Sequence, residues 1–202
     1  MERSIVSPFV PLKGNLLSVR VPCLDDLLGD KLTAFAPNTT GIPYYKGEDS
    51  MSMEIIKQLY DIGSLFDRST NLKIVKETFH RFARTELAYR KAIDKNETDV
   101  LADIFHTALC ITSRGELGKG DFDELQSGIR RVAGFIFSEN YHIEKTIISA
   151  SKASYLSALI SLDKTEIEKY DNPMQIKDWL ISNPLYNKLN KLKKPNPEAF
   201  FY

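Results

Sequence analysis

The chain has 202 residues, 43% of them hydrophobic, and its 27 Lys plus Arg are balanced by 27 Asp plus Glu. That length and apolar content suffice for a sizeable core, while a formal net charge of zero argues against bulk attraction to nucleic acid or an anionic membrane. There is no apolar run of transmembrane length and no signal-like stretch, so the expectation is a cytoplasmic protein with no membrane partner.

Residues 4–10 and 16–21 are short β-prone runs joined by the breaker set Pro11-Leu12-Lys13-Gly14-Asn15. Leu16-Leu17-Ser18-Val19-Arg20-Val21 is a good strand, yet nothing later in the chain reads as a strand for it to join. An isolated hairpin is marginal in water. These strands are therefore expected to end a sheet whose other members lie upstream in a longer protein or in a partner chain, and the exposed strand offers a route to a homodimer.

From Pro22 onward the punctuation is helical. Residues 24–36 stop at Pro37, and 37–50 read as loop. Residues 51–67 are amphipathic, with Ile55, Leu59, Ile62 and Phe66 on one face. Residues 71–93 carry Leu72, Val75, Phe79 and Phe82. Asn96-Glu97-Thr98-Asp99 opens a helix with Leu101, Ile104, Phe105 and Ala108, which Gly115 closes. Asp121 caps the helix bearing Phe122, Leu125, Ile129, Val132 and Ile136. Residues 141–162 form a long, largely apolar helix. Asn172-Pro173 and Asn183-Pro184 announce two short helices, and 193–197 should be extended. The expected fold class is mainly α: a multi-helix bundle over 23–202 with a short N-terminal β-hairpin stub over 1–22.

Lys31 is the anomaly. At about 100° per residue, Leu27, Leu24, Phe35, Leu28 and Leu32 share one arc of roughly 140°, and Lys31 projects between Leu27 and Leu24. Burying an unpartnered ammonium is costly. Either Lys31 snorkels to solvent along its stem or this face lines a site for an anion. Asp61 lies on the polar side of the next helix, one turn after Lys57, and reads as an ordinary exposed ion pair with it.

Other candidates read as structural. Glu86 and Arg90, four residues apart, form a partly buried salt bridge. His80, Arg81, Arg84 and Lys91 make a solvated basic face rather than a phosphate site. Gly115-Glu116-Leu117-Gly118-Lys119-Gly120 lacks the Walker spacing and a preceding strand, so it is a helix–helix loop. Lys188, Lys191, Lys193 and Lys194 belong to a soluble tail. Cys23 and Cys110 match no redox or zinc spacing, and His80, His106 and His142 no metal-ligand spacing. No nucleophile triad is present, and no Asp-x-Asp pair that would hold two magnesium ions.

The order Leu27-Leu28-Gly29-Asp30-Lys31-Leu32-Thr33-Ala34 followed by Lys57-Gln58-Leu59-Tyr60-Asp61-Ile62 resembles the AbiEii/AbiGii toxin family, nucleotidyltransferase-fold halves of bacterial abortive-infection toxin–antitoxin pairs. The family pattern is a Leu-Leu-x-x-Lys-Leu-x-Ala helix and, after a loop, an Arg-Asp-x-x-Asp helix. Lys31 matches the first and Asp61 the second aspartate of the other, whereas Lys57 and Gln58 replace the Arg-Asp pair. The resemblance is sharpest over 21–67. The family's Gly-Ser signature and Asp-x-Asp metal pair have no counterpart here, so the resemblance implies a C-terminal portion that begins at the last strand of a truncated nucleotidyltransferase sheet. It implies Lys31 and Asp61 as catalytic residues, Mg²⁺ and NTP as cofactors of the full enzyme only, and a cognate antitoxin and an RNA or nucleotide acceptor as partners. The chain alone is expected to be inactive, its lysine without a visible partner. The competing expectation is a non-catalytic helical interaction or oligomerisation module.

Overall fold

The computed structural model describes residues 2–6, 9, 14 and 17–202. Strands β1 (Glu2–Ser4) and β2 (Ser18–Arg20) pair antiparallel, with Glu2 opposite Arg20 and Ser4 opposite Ser18. Their residues are all exposed, and among the described residues β2 is paired on one side only. The strands are shorter than expected; residues 7, 8, 10 and 16 of the two β-prone runs lie outside the described residues. The 37–50 stretch is not all loop. Strands β3 (Tyr45–Lys46) and β4 (Asp49–Ser50) form a second small hairpin. Gly47 supplies its turn with a φ of 63°, a conformation glycine adopts without a Cβ penalty.

The remainder is helical. Helix α1 (Leu24–Ala34) precedes the β3–β4 hairpin; α2 (Ser52–Arg68), α3 (Leu72–Tyr89), α4 (Glu97–Thr112), α5 (Phe122–Ala133) and α6 (Ile143–Ser161) follow it. Side-chain caps start them as the sequence suggests: Asn71, Asn96 and Asp121 each accept from backbone N–H groups of the first turn. Helix α3 stops at Tyr89 rather than 93. Lys91 takes a left-handed φ of 56°, and Ala92 returns its N–H to the Leu87 carbonyl at 3.0 Å, which closes the turn. Helix α1 packs on α2 and α3, α2 on α5 and α6, and α4 on α6. Phe35, Phe66, Phe79, Leu28 and Ile104 are among the fully buried side chains at the centre. Among the described residues no helix is long and apolar enough to cross a membrane.

Two polar side chains inside this body organise it. Asp103, buried on α4, accepts from the Asn38 N–H (2.8 Å), the Asn38 Nδ2 (2.7 Å) and the Thr39 hydroxyl (2.9 Å). It thereby fixes the chain leaving α1. Lys152, 4% exposed on α6, pairs with Asp67 of α2 at 2.7 Å and with Glu198 at 2.8 Å. Burial opposes its charge, but the two carboxylates outweigh burial and hold the ammonium above the ordinary lysine range. Replacing Lys152 with Met should cost only about 1 kcal/mol in urea unfolding, because the half-exposed carboxylates rehydrate and the stem keeps its packing.

The C-terminal segment is not an extended soluble tail. Asn172-Pro173 starts a 3₁₀ turn, Pro173–Ile176. Asn183 starts only a turn, and a second 3₁₀ segment, Asn187–Leu192, follows. Asn196-Pro197 is a third Asn-Pro start and opens α7 (Pro197–Phe201). Buried Asn196 accepts from the Ala199 N–H and donates through Nδ2 to the Glu144 carbonyl at 3.1 Å. Those bonds hold the 193–197 stretch in a turn. Lys188 and Lys191 reach Glu116 at 3.0 and 3.7 Å, and Lys193 donates to the Lys177 and Trp179 carbonyls.

Candidate functional site

Helix α1 begins at Cys23, whose Sγ accepts from the Asp26 N–H (3.4 Å) while the Asp26 carboxylate accepts from the Cys23 N–H (2.9 Å). This is a capping box with a thiol in the hydroxyl's place. Those bonds from Cys23 lead the causes that hold the Asp26 carboxyl below its ordinary range. Asp25 accepts from the Ser69 hydroxyl (2.6 Å) and from the Thr70 and Asn71 N–H groups. The first turn of α1 is therefore clamped to the α2–α3 connection.

The buried face of α1 differs from the one expected. Leu28, Leu32 and Phe35 are fully buried, but Leu24 is exposed and Leu27 only half-buried. Gly29 and Thr33 complete the buried face instead. At about 100° per residue they extend it by about 100° on the side away from Lys31. A Cβ at Gly29 would lie 2.5 Å from the Val75 carbonyl oxygen, so the close approach of α3 is what turns the helix. Lys31 consequently stands at the margin of the apolar face rather than in its middle.

From that margin Lys31 crosses to α2. Its Nζ lies 2.8 Å from the Asp61 carboxylate and donates to the Gln58 amide oxygen at 2.9 Å. Gln58 and Asp61 are three residues apart, so they share one helix face and a single ammonium reaches both. Lys31 and Asp61 are 28% and 43% exposed at their side chains. The expected Lys57–Asp61 pair is not the one formed: Lys57 reaches Glu54 at 4.0 Å and lies over the Phe135 ring. The lysine without a partner is likewise corrected, because Asp61 is its partner. Sequence reasoning passed over Gln58; its only signal was its position in the Arg-Asp-x-x-Asp register.

Around this pair, Asp30 is partly buried, and desolvation together with nearby Glu86 raises its carboxyl pKa against the opposing pull of Lys31. Glu86 and Arg90 sit 3.6 Å apart, about as exposed as Lys31 and Asp61, and Arg90 also donates to the Gly41 carbonyl at 3.0 Å. An ammonium has three donors, and Asp61 and Gln58 occupy two of Lys31's. The arrangement can offer the remaining donor to an anion while Asp61 balances the charge. Among the described residues no group of three or more His, Cys, Asp or Glu is placed to hold a metal ion. Asp61, engaged with Lys31, is no substitute for a paired carboxylate site, so these residues do not fit an Mg²⁺–NTP centre on their own.

The other candidates resolve as packing. Arg84 of the basic cluster pairs with Glu97, with His80 Nδ1 3.8 Å from the same carboxylate. Desolvation lowers the His80 pKa from its ordinary 6.5. A histidine with a depressed folded pKa contributes stability that is complete above about pH 6.5 and declines as the pH falls below it. Urea unfolding across pH 7.5 to 5 should show that decline, and His80→Gln should flatten it. Cys110 is buried, and burial pushes its thiol up to about 11, so it packs rather than reacts. Residues 115–120 form a helix–helix loop in which Lys119 donates to the His106 carbonyl at 3.1 Å. Comparison of the chain with protein-family models, with curated proteins and with solved structures returns no match.

Proposed function

We propose that this chain is a nucleotidyltransferase-like protein of the AbiEii/AbiGii toxin type, contributing Lys31 and Asp61 to a phosphate-facing site whose metal carboxylates come from outside the described residues. One observation carries the reading. Two residues of separate motifs, thirty positions apart, meet at 2.8 Å, and Gln58 takes the register position of the motif's first aspartate beside the same ammonium. A cation so placed stabilises charge on a transferred phosphoryl group. In this reading the setting is the bacterial cytoplasm, the acceptor is RNA or a nucleotide, and a cognate antitoxin restrains the assembled protein. The alternative, a non-catalytic helical module that oligomerises through strand addition, draws support from the exposed β1–β2 hairpin.

The test is titration of inorganic tripolyphosphate into the wild-type chain and Lys31→Met, alongside labelled NMP transfer. The chain alone should transfer no NMP, because among the described residues no group of three or more His, Cys, Asp or Glu is placed to hold a metal ion. Tripolyphosphate should bind, and Lys31→Met should weaken it about tenfold, the effect of losing one charge-assisted hydrogen bond. The same substitution should change unfolding free energy by under about 1 kcal/mol, as for a partly exposed pair. Binding that ignores Lys31→Met, or no binding at all, would remove the phosphate-facing role. A concentration-dependent dimer abolished by a proline in β2 would then favour the module.

A further inference from the structure

A cavity of about 160 Å³ lies between α2 and α6, with room for a ligand of only a few heavy atoms. Tyr60, Gly63 and Asp67 line it from α2, Ser149 and Lys152 from α6, and Glu198 from α7. Ser149 and Lys152, three residues apart, share a helix face, as do Gly63 and Asp67 at four. Carboxylates outnumber ammoniums on this lining. Glu139 and Lys145 offset each other at 3.3 Å. Lys152 then stands alone against two carboxylates, Asp67 at 2.7 Å and Glu198 at 2.8 Å. It reaches one oxygen of each, and the second oxygens form no hydrogen bond. One negative charge is left over.

A hydroxyl on the same lining also lacks a partner. Ser149 is 8% exposed and makes no hydrogen bond through its side chain. A helical serine commonly turns back to a carbonyl of the preceding turn, as Ser154 and Ser157 do on this helix. Ser149 does not, and its oxygen faces the cavity. The neighbouring Tyr141 hydroxyl, by contrast, is enclosed in the packing and forms no bond. Gly63 keeps the Ser149 oxygen uncovered, because a Cβ at position 63 would collide with it. Glycine is unfavourable in a helix interior, so the opening is made against helix propensity.

We propose that this cavity binds a small primary ammonium, which donates to the Asp67 carboxylate, the Glu198 carboxylate and the Ser149 hydroxyl. Three acceptors match the three donors of an ammonium. A single positive charge offsets the surplus negative one, whereas an anion would add to it. A metal ion fits less well, since among the described residues no group of three or more His, Cys, Asp or Glu is placed to hold one. The site uses neither Lys31 nor Asp61 and stands apart from the phosphate-facing reading.

The test titrates n-propylammonium, tetramethylammonium and 1-propanol into the full chain at fixed ionic strength, read by the backbone amide resonances of Gly63 and Ser149. n-Propylammonium should saturate at one per chain and shift both resonances. Tetramethylammonium has the charge without the donors and should bind at least about tenfold more weakly, and 1-propanol should not bind. Ser149→Ala should weaken n-propylammonium about tenfold, the loss of one hydrogen bond to a charged group. Lys152→Met removes the cation that the two carboxylates already share, and should tighten n-propylammonium about tenfold. Absence of saturable n-propylammonium binding, or equal binding of tetramethylammonium, would overturn the assignment. So would an affinity unchanged in Ser149→Ala or not raised in Lys152→Met, which would leave two ion pairs beside a water-filled gap.

Discussion

Asp103→Ala is expected to lower unfolding free energy by about 3 kcal/mol, since charge-assisted bonds to a buried carboxylate carry the larger hydrogen-bond values and their donors are left unpaired. The carboxylate is buried on α4 and takes the Asn38 N–H, the Asn38 amide and the Thr39 hydroxyl within 2.9 Å. No other described contact of comparable sequence separation holds that loop with so many bonds to one group. Asp103→Asn keeps one acceptor oxygen and should recover a good part of the loss. Urea unfolding measures both variants, and amide exchange at residues 36–42 should accelerate in Asp103→Ala. A loss below about 1 kcal/mol, the worth of a single ordinary bond, would show that solvent replaces these contacts.

Gly29→Ala should cost about 2 kcal/mol, within the range for overpacking, even though alanine is the better helix former by up to about 1 kcal/mol. The added Cβ would meet the Val75 carbonyl oxygen at 2.5 Å, Thr78 Cβ at 2.9 Å and the Phe79 nitrogen at 3.0 Å. Backbone cannot swing aside as a flexible side chain can, so α1 and α3 must separate. Gly134→Ala is the control: its nearest neighbour would be 3.6 Å away, and the change should stay within about 0.5 kcal/mol of wild type, as for an ordinary surface substitution. A Gly29→Ala chain melting at the wild-type temperature would mean that α1 and α3 yield freely.

The mainly helical bundle with a small strand stub was legible because its signals are local. Asn96 and Asp121 announce helix starts through side-chain oxygens placed to accept from first-turn N–H groups, and the α2 stripe of Ile55, Leu59, Ile62 and Phe66 is buried as its periodicity suggests. What escaped depends on neighbours distant in sequence. Gly29 and Thr33 have too little apolar character to register on a helical wheel, yet they decide which way α1 turns and therefore where Lys31 points. Lys152 drew no notice within a helix read as largely apolar; only the fold brings Asp67 and Glu198 to it. Asn196 carried the same Asn-Pro signal as Asn172, but the lysines before it suggested a solvated tail. At the candidate site, the wheel marked Lys31 and only the family resemblance pointed to Asp61, while the wheel assigned Asp61 to Lys57 because it sees only one helix at a time.

The order in which the helices meet bears on how quickly the chain can find this arrangement. The broadest contacts join α4 to α6, α1 to α3, and α2 to α5 and α6; among consecutive helices only α1 and α2 meet as broadly, whereas α3 touches α4, and α5 touches α4 and α6, only slightly. A bundle of successive hairpins gathers its core from neighbours along the chain and folds fast. Here most of the core must wait for an intervening helix to be bridged, so loop-closure entropy is lost before the apolar faces meet. Refolding should therefore be slow for so helical a chain, and the part of α2 that α1 does not cover stays open until both α5 and α6 arrive. During that interval the face is open to other chains, which makes dilution and low temperature the favourable conditions for recovering the protein from denaturant.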